Sequence, residues 1–195
     1  MRFEEFKRHL QELELIGKGW RSFVFRSFWE GKEITVKVAK DTDREYAIRK
    51  EGHILELLKG IKGFPQLLKA GEDFIVYEHI KGVPIEKASL GKEELVLVYI
   101  KVLDLIRVLD RMGINKDELN RLDKNTIIGE GLEVYLIDFE RGSVGVKKRH
   151  NLSQFLQLLR KEGLIDPERA KDIGRRYVSG EEVYDEVRRA LSSAT

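Results

Sequence analysis

The amino-acid sequence predicts an α+β protein with a β-rich first half and a mostly helical second half. Short alternating or β-branched runs cluster before residue 82, amphipathic runs of helical period dominate after it, and Gly82-Val83-Pro84 breaks the pattern between them. The division predicts two lobes, residues 1–82 and 83–195, within a length that allows one ordinary domain or two small lobes folded as one unit.

The elements follow in order. Phe3, Phe6, Leu10 and Leu13 recur at helical spacing, which predicts a short amphipathic helix over 2–13, followed by a turn-rich start from Ile16 to Gly19. Ser22–Phe28 and Glu33–Lys40 read as strands joined at Glu30-Gly31-Lys32. Asp43–Lys59 reads as a helix that Gly60 ends. Gln66–Ala70 and Phe74–Ile80 form a second strand pair. After the break, Lys92–Met112 is a long helix closed by Gly113, and Thr126–Ile128 and Leu132–Ile137 form a hairpin around Gly129-Glu130-Gly131. Asn151–Lys161 reads as a helix with an asparagine cap, Asp166-Pro167 opens another, and Glu181–Leu191 is the last.

Composition excludes several classes of function. With no cysteine there is no disulfide framework, Cys-based zinc site or thiol nucleophile. No apolar run approaches the span of a bilayer, and residues 1–5 lack a signal-peptide core, so a cytoplasmic protein is expected, with neither membrane nor DNA as partner. A net charge of +2 means that any nucleic-acid surface must come from local clustering. Dense Lys, Arg and Glu point to a thermophilic source. The four histidines are scattered, and no metalloprotease, serine-hydrolase or complete P-loop motif is present.

Five signals carry chemistry. Gly17-Lys18-Gly19-Trp20-Arg21-Ser22-Phe23-Val24 is a glycine-bearing loop between strands, either a plain hairpin turn or a cradle whose N–H groups approach phosphate. Lys37 lies among small residues on one face of an alternating strand, either a solvated edge lysine or a phosphate contact. Glu51, on the following helix, either reaches across to Lys37 or is a plain helix-surface carboxylate. Asn125 and Asp138 flank the later hairpin, and antiparallel pairing returns both to one edge, where an amide oxygen and a carboxylate suit Mg²⁺; Asp138 alone reads equally as a strand terminus. The polar loop 113–124 carries Asp117, Glu118 and Asp123, and is either a solvated connection or a catalytic loop.

In that order these pieces resemble the protein-kinase-like fold, over about Ile16 to Arg141. The resemblance implies a bilobal architecture, with ATP and Mg²⁺ as cofactors. It implies that Gly17, Gly19, Ser22 and Val24 cover the nucleotide. Lys37 would contact the phosphates and Glu51 would pair with it. Tyr77 would be the gatekeeper, and the backbone of Glu78 and Ile80 would bind adenine. Asn125 and Asp138 would hold the metal. Lys116-Asp117-Glu118 replaces the family's His-Arg-Asp, so Glu118 is first choice for the catalytic carboxylate, with Asp117 or Asp123 behind it. Asp138-Phe139-Glu140 replaces Asp-Phe-Gly, which keeps a nucleotide-binding pseudokinase scaffold in play.

The short stretch after Glu140 and the motifs Glu118-Leu119-Asn120-Arg121 and Ile137-Asp138-Phe139-Glu140-Arg141 resemble the compact atypical kinases, the RIO type among them, and above all the archaeal tRNA kinase family. That resemblance implies transfer of phosphate from ATP to a ribose 2′-hydroxyl of a uridine in the variable-loop region of tRNA, with a protein Ser/Thr acceptor second. Cationic runs fit a polyanion: Lys147, Lys148 and Arg149, with Arg121 and Arg141 beside them, and Arg175 and Arg176 on a later helix. They fit solvated helix and loop faces as well.

Overall fold

A computed structural model describes residues 1–195. The chain divides into two compact units. The first comprises Met1–Lys81 with Ile137–Arg141, and the second Gly82–Leu136 with Gly142–Thr195.

The first unit is built on a five-stranded antiparallel sheet ordered β1-β2-β3-β5-β4, from β1 (Gln11–Lys18), β2 (Ser22–Trp29), β3 (Lys32–Ala39), β4 (Leu67–Ala70) and β5 (Phe74–Glu78). Period two sorts the side chains of β3. Ile34, Val36 and Val38 join Phe74 and Val76 in a buried cluster with Phe3 and Phe6 of α1 (Phe3–Phe6), where the Phe6 and Phe74 rings stack at 4.9 Å. Thr35 and Lys37 therefore point to the opposite face, which α2 (Glu45–Leu57) covers. Gly52 sets how closely α2 lies: a Cβ there would stand 2.9 Å from Ile75 Cγ2, so only glycine allows this approach. The neighbouring Glu51 is thereby held against the sheet.

The helix predicted over 2–13 is shorter. It ends in a 3-10 turn, Lys7–His9, and β1 begins at Gln11. Gln11-Glu12-Leu13-Glu14-Leu15 fits period two as well as helical spacing, and the open edge of β2 decides the matter by pairing with it. The β2–β3 turn falls where predicted, with Glu30 and Gly31 both at positive φ.

The second unit is mostly helical: α3 (Lys92–Arg111), α4 (Asn151–Lys161), α5 (Pro167–Val178) and α6 (Tyr184–Ser192). Val96, Tyr99, Leu103 and Ile106 of α3 are buried at helical spacing. Two small sheets complete it. One orders β6 (Val83–Pro84), β8 (Thr126–Ile128) and β9 (Val134–Leu136); the other pairs β7 (Ile114–Asn115) with β10 (Ser143–Val144). Asp166 caps α5 by accepting from the Arg169 N–H at 3.0 Å, with Pro167 in the first turn. The last helix begins at Tyr184 rather than Glu181. No helix is long and apolar enough to cross a membrane.

Candidate functional site

Sheet register brings the candidate nucleotide residues of the first unit together. Val24 is the cross-strand partner of both Gly17 and Lys37, and Thr35 pairs with Tyr77, so Gly17, Val24, Lys37 and Tyr77 share one sheet face. The glycine-bearing turn is tight, with Gly19 N–H donating to the Ser22 carbonyl at 2.9 Å. Tyr77 is buried, and burial pushes its phenol well up, so the ring stays neutral. The Glu78 N–H donates to the Gln66 carbonyl at 3.0 Å and so is not open to adenine; Ile80 follows, half-buried.

Lys37 is not a solvated edge lysine. Its strand has neighbours on both sides and its side chain is buried. The ammonium lies 2.8 Å from Glu51 Oε2, 3.2 Å from Asp138 Oδ1 and 3.0 Å from Glu140 Oε1. Burial alone pushes a lysine down, but here the three carboxylates outweigh it, Glu51 first, and hold Lys37 well above its ordinary value. Glu51 is pushed up by its own burial, against the pull of Lys37. The other Glu51 oxygen accepts the Phe139 N–H at 3.2 Å, so this one carboxylate fixes both the lysine and the backbone beside Asp138. Phe139 is buried against Phe64, which anchors the segment further. Carboxylate oxygens of Glu51, Asp138 and Glu140 lie within 4.8 Å of one another, gathered around the Lys37 ammonium, and of the three only Asp138 is half exposed, a hard-oxygen donor that fits a magnesium ion carrying phosphates.

In the second unit the polar loop 113–124 is not a solvated connection. Asn115, Lys116, Leu119 and Leu122 are all buried. The expected asparagine cap of α4 is not formed: Asn151 is the first residue of the helix, His150 holds the cap position, and the Asn151 side chain bonds elsewhere. Its oxygen accepts the Lys116 N–H at 2.9 Å, and its amide donates to the Ile114 carbonyl at 2.7 Å and to Asp110 Oδ1 at 2.9 Å. Gln154, one turn on, donates to Asp117 Oδ1 at 2.8 Å and accepts the Leu119 N–H at 3.1 Å. Two residues at i and i+3 of one helix thus grip the loop at four points, Ile114, Lys116, Asp117 and Leu119. Asn125 accepts from the Thr126 hydroxyl at 3.2 Å, at the start of the hairpin that pairs Thr126 with Leu136.

Six non-glycine residues have positive φ, and three of them are Asp117, Glu118 and Asp138. Such backbone persists only where surrounding contacts over-determine it, and it concentrates at functional sites. Of the three carboxylates in the loop, Asp117 is tied to Gln154 and to the Glu118 N–H at 3.0 Å, and Asp123 is exposed. Glu118 is half-buried, with Arg121 3.7 Å away.

The cationic residues divide by their partners. Arg149 donates to the carbonyls of Tyr177 and Glu181 and lies 4.2 Å above the Tyr177 ring, and Arg176 is held by Asp172 and Glu186. Arg149 thus holds the end of α5 and the turn after it, and Arg176 ties α5 to α6. Arg175 is an exposed partner of Asp172. Arg121, Arg141, Lys147 and Lys148 are exposed, and the carbonyl of Lys148 accepts from Asn115 Nδ2 at 3.0 Å, which docks the Lys147-Lys148 segment at the start of the polar loop.

No protein-family model matches the chain. Over 144 residues, 72% of its length, the chain is 29% identical to a Bacillus subtilis (strain 168) protein named "Putative serine/threonine-protein kinase YrzF", and it spans 64% of that relative. The fold is kinase-like. Sequence reasoning missed Asn151, Gln154 and the partners of Glu140. An Asn-x-x-Gln pair on a helix start signals only a cap, and nothing local shows which distant N–H groups it meets.

Proposed function

We propose that this protein is an ATP-dependent kinase whose acceptor is tRNA, at a ribose 2′-hydroxyl of a uridine in the variable-loop region. The observation that carries the kinase reading is the buried Lys37–Glu51 pair with Asp138 on the same ammonium, beneath a glycine-bearing turn. Phosphoryl transfer requires little covalent chemistry from the protein, so positioning and charge neutralisation dominate. Lys37 binds phosphate oxygens, and Glu51 holds Lys37 in place. Asp138 and Asn125 would hold Mg²⁺, which would neutralise charge on the phosphates. Glu118 accepts the proton of the attacking hydroxyl as its oxygen bonds the γ-phosphorus and the bond to ADP breaks.

The RNA acceptor is supported by exposed Lys147 and Lys148, docked through Asn115 onto the loop that carries Glu118, and by Arg121 on that loop. Backbone charge of this kind reads shape and phosphate, with a strong dependence on salt. A protein Ser/Thr acceptor is the second reading, favoured by the name of the Bacillus relative. A nucleotide-binding scaffold is the third, favoured by a glutamate at position 140 that engages Lys37.

Labelled γ-phosphate offered to total tRNA and to a generic protein substrate separates these readings. Label in tRNA supports the first and label in protein the second. Nucleotide binding without transfer leaves the scaffold. Asp138→Asn should reduce transfer by at least about a hundredfold. Asn tolerates the positive φ of this position, and the side chain is half exposed, so the melting temperature should stay within a few degrees. Lys147→Glu with Lys148→Glu should weaken tRNA binding about tenfold or more and flatten its salt dependence, while ATP affinity stays unchanged. Arg149 is left intact in that variant because it ties down α5.

A further inference from the structure

Glu140 stands where a kinase-like site would have little use for a carboxylate. It is buried, and its oxygens face three donors, two from the glycine-bearing turn and one from β3. Oε1 accepts the Ser22 hydroxyl at 2.8 Å and lies 3.0 Å from Lys37 Nζ; Oε2 lies 3.9 Å from Arg21 Nη1. An ammonium, a hydroxyl and a guanidinium are donors that carboxylate and phosphate oxygens bind alike. Ser22 and Arg21 close the glycine-bearing turn, so Glu140 links that turn to Lys37. The arrangement is also electrostatically overfilled, since Glu51 and Asp138 share the same ammonium. Two acids would satisfy Lys37; the third adds buried negative charge in the place polyphosphate would need.

We propose that Glu140 is a displaceable internal anion. It occupies Lys37 and Ser22 in the nucleotide-free protein and is exchanged for nucleotide phosphate. The inference rests on the nucleotide-site reading above and goes beyond it, because it makes residue 140 the setting of that site's affinity. Exchange releases the tie between the turn and Lys37, so phosphate entry and opening of the turn are one event. Part of the gross binding energy of the nucleotide goes into displacing the carboxylate.

The test is calorimetric binding of ATP, ADP and adenosine to the wild type, Glu140→Gln and Glu140→Ala, each with and without Mg²⁺. Glu140→Gln keeps the size and an acceptor for Ser22 and removes one excess buried charge, so it should fold with an unchanged or higher melting temperature. Glu140→Ala serves as the second variant. The expected result is affinity for ATP and ADP raised about tenfold or more, with Mg²⁺ or without it, and affinity for adenosine unchanged. A wild type that binds poorly beside variants that bind well gives the same support. Equal affinity in all three proteins overturns the proposal and spares the nucleotide site. So does a loss confined to Mg²⁺, which would make Glu140 a metal ligand, or a gain that extends to adenosine. No nucleotide binding by any of the proteins overturns both this proposal and the reading on which it rests.

Discussion

Lys37→Met should abolish phosphoryl transfer and destabilise the protein together. Glu51 is fully buried, and without the ammonium it keeps one partner, the Phe139 N–H, for a carboxylate in a low-dielectric setting. Removing one member of a buried ion pair typically costs about 3–5 kcal/mol, because the remaining charge is left uncompensated. At roughly 2–4 °C per kcal/mol for a chain of this size, the melting temperature should fall by about 6–20 °C. The double variant Lys37→Met, Glu51→Met should recover much of that loss, since apolar side chains of similar volume often replace a buried pair at little cost. Thermal unfolding of the single and double variants checks the stability half. If the single variant melts with the wild type, the pair is not buried as described. Activity should remain lost in both, since neither restores a cation to the phosphates.

How much of this was legible before folding depends on the distance over which each signal acts. The alternation in β3 set Lys37 on the face opposite Ile34, Val36 and Val38, and the later hairpin showed at Thr126–Ile128 with its turn glycines. Those are local patterns, fixed by the pleat and by turn chemistry. The extent of the first helix was not legible, because Gln11–Leu15 satisfies both periods and only the free edge of β2 decides between them. Glu140 read merely as a departure from a motif. Its meaning lies in Ser22 and Lys37, more than a hundred positions earlier in the chain. The cationic runs show the same limit: Arg149 and Lys148 are neighbours in sequence, yet the first is spent on the carbonyls of Tyr177 and Glu181 while the second stays exposed. Charge counts cannot make that distinction; hydrogen-bond partners can.

Asn151→Ala should give the other large effect, in the second unit. Asp110 and the Ile114 carbonyl only accept and the Lys116 N–H only donates, so these partners fix which way the amide of Asn151 points. Asp110 is also the acceptor of the Tyr177 and Tyr184 hydroxyls, whose phenols burial and Asp110 together hold well above their ordinary range. A chain of bonds therefore runs from the end of α3, through Asn151, to the residue before Asp117. Truncation to alanine leaves a buried N–H and a buried carbonyl without these partners, at about 1–3 kcal/mol each. A loss of roughly 2–6 kcal/mol is expected in thermal or denaturant unfolding. The loop carrying Glu118 would also lose one of its grips, and a displacement of about 1 Å can reduce turnover a hundredfold. Because Lys37 and the glycine-bearing turn belong to the first unit, kcat should fall while the Kd for ATP stays near that of the wild type. Asn151→Asp discriminates this account from a simple packing defect. It fills the same space and keeps an oxygen for Lys116, but loses both donors and sets a second carboxylate against Asp110. It should therefore be no more stable than Asn151→Ala, whereas a packing role would make it nearly neutral.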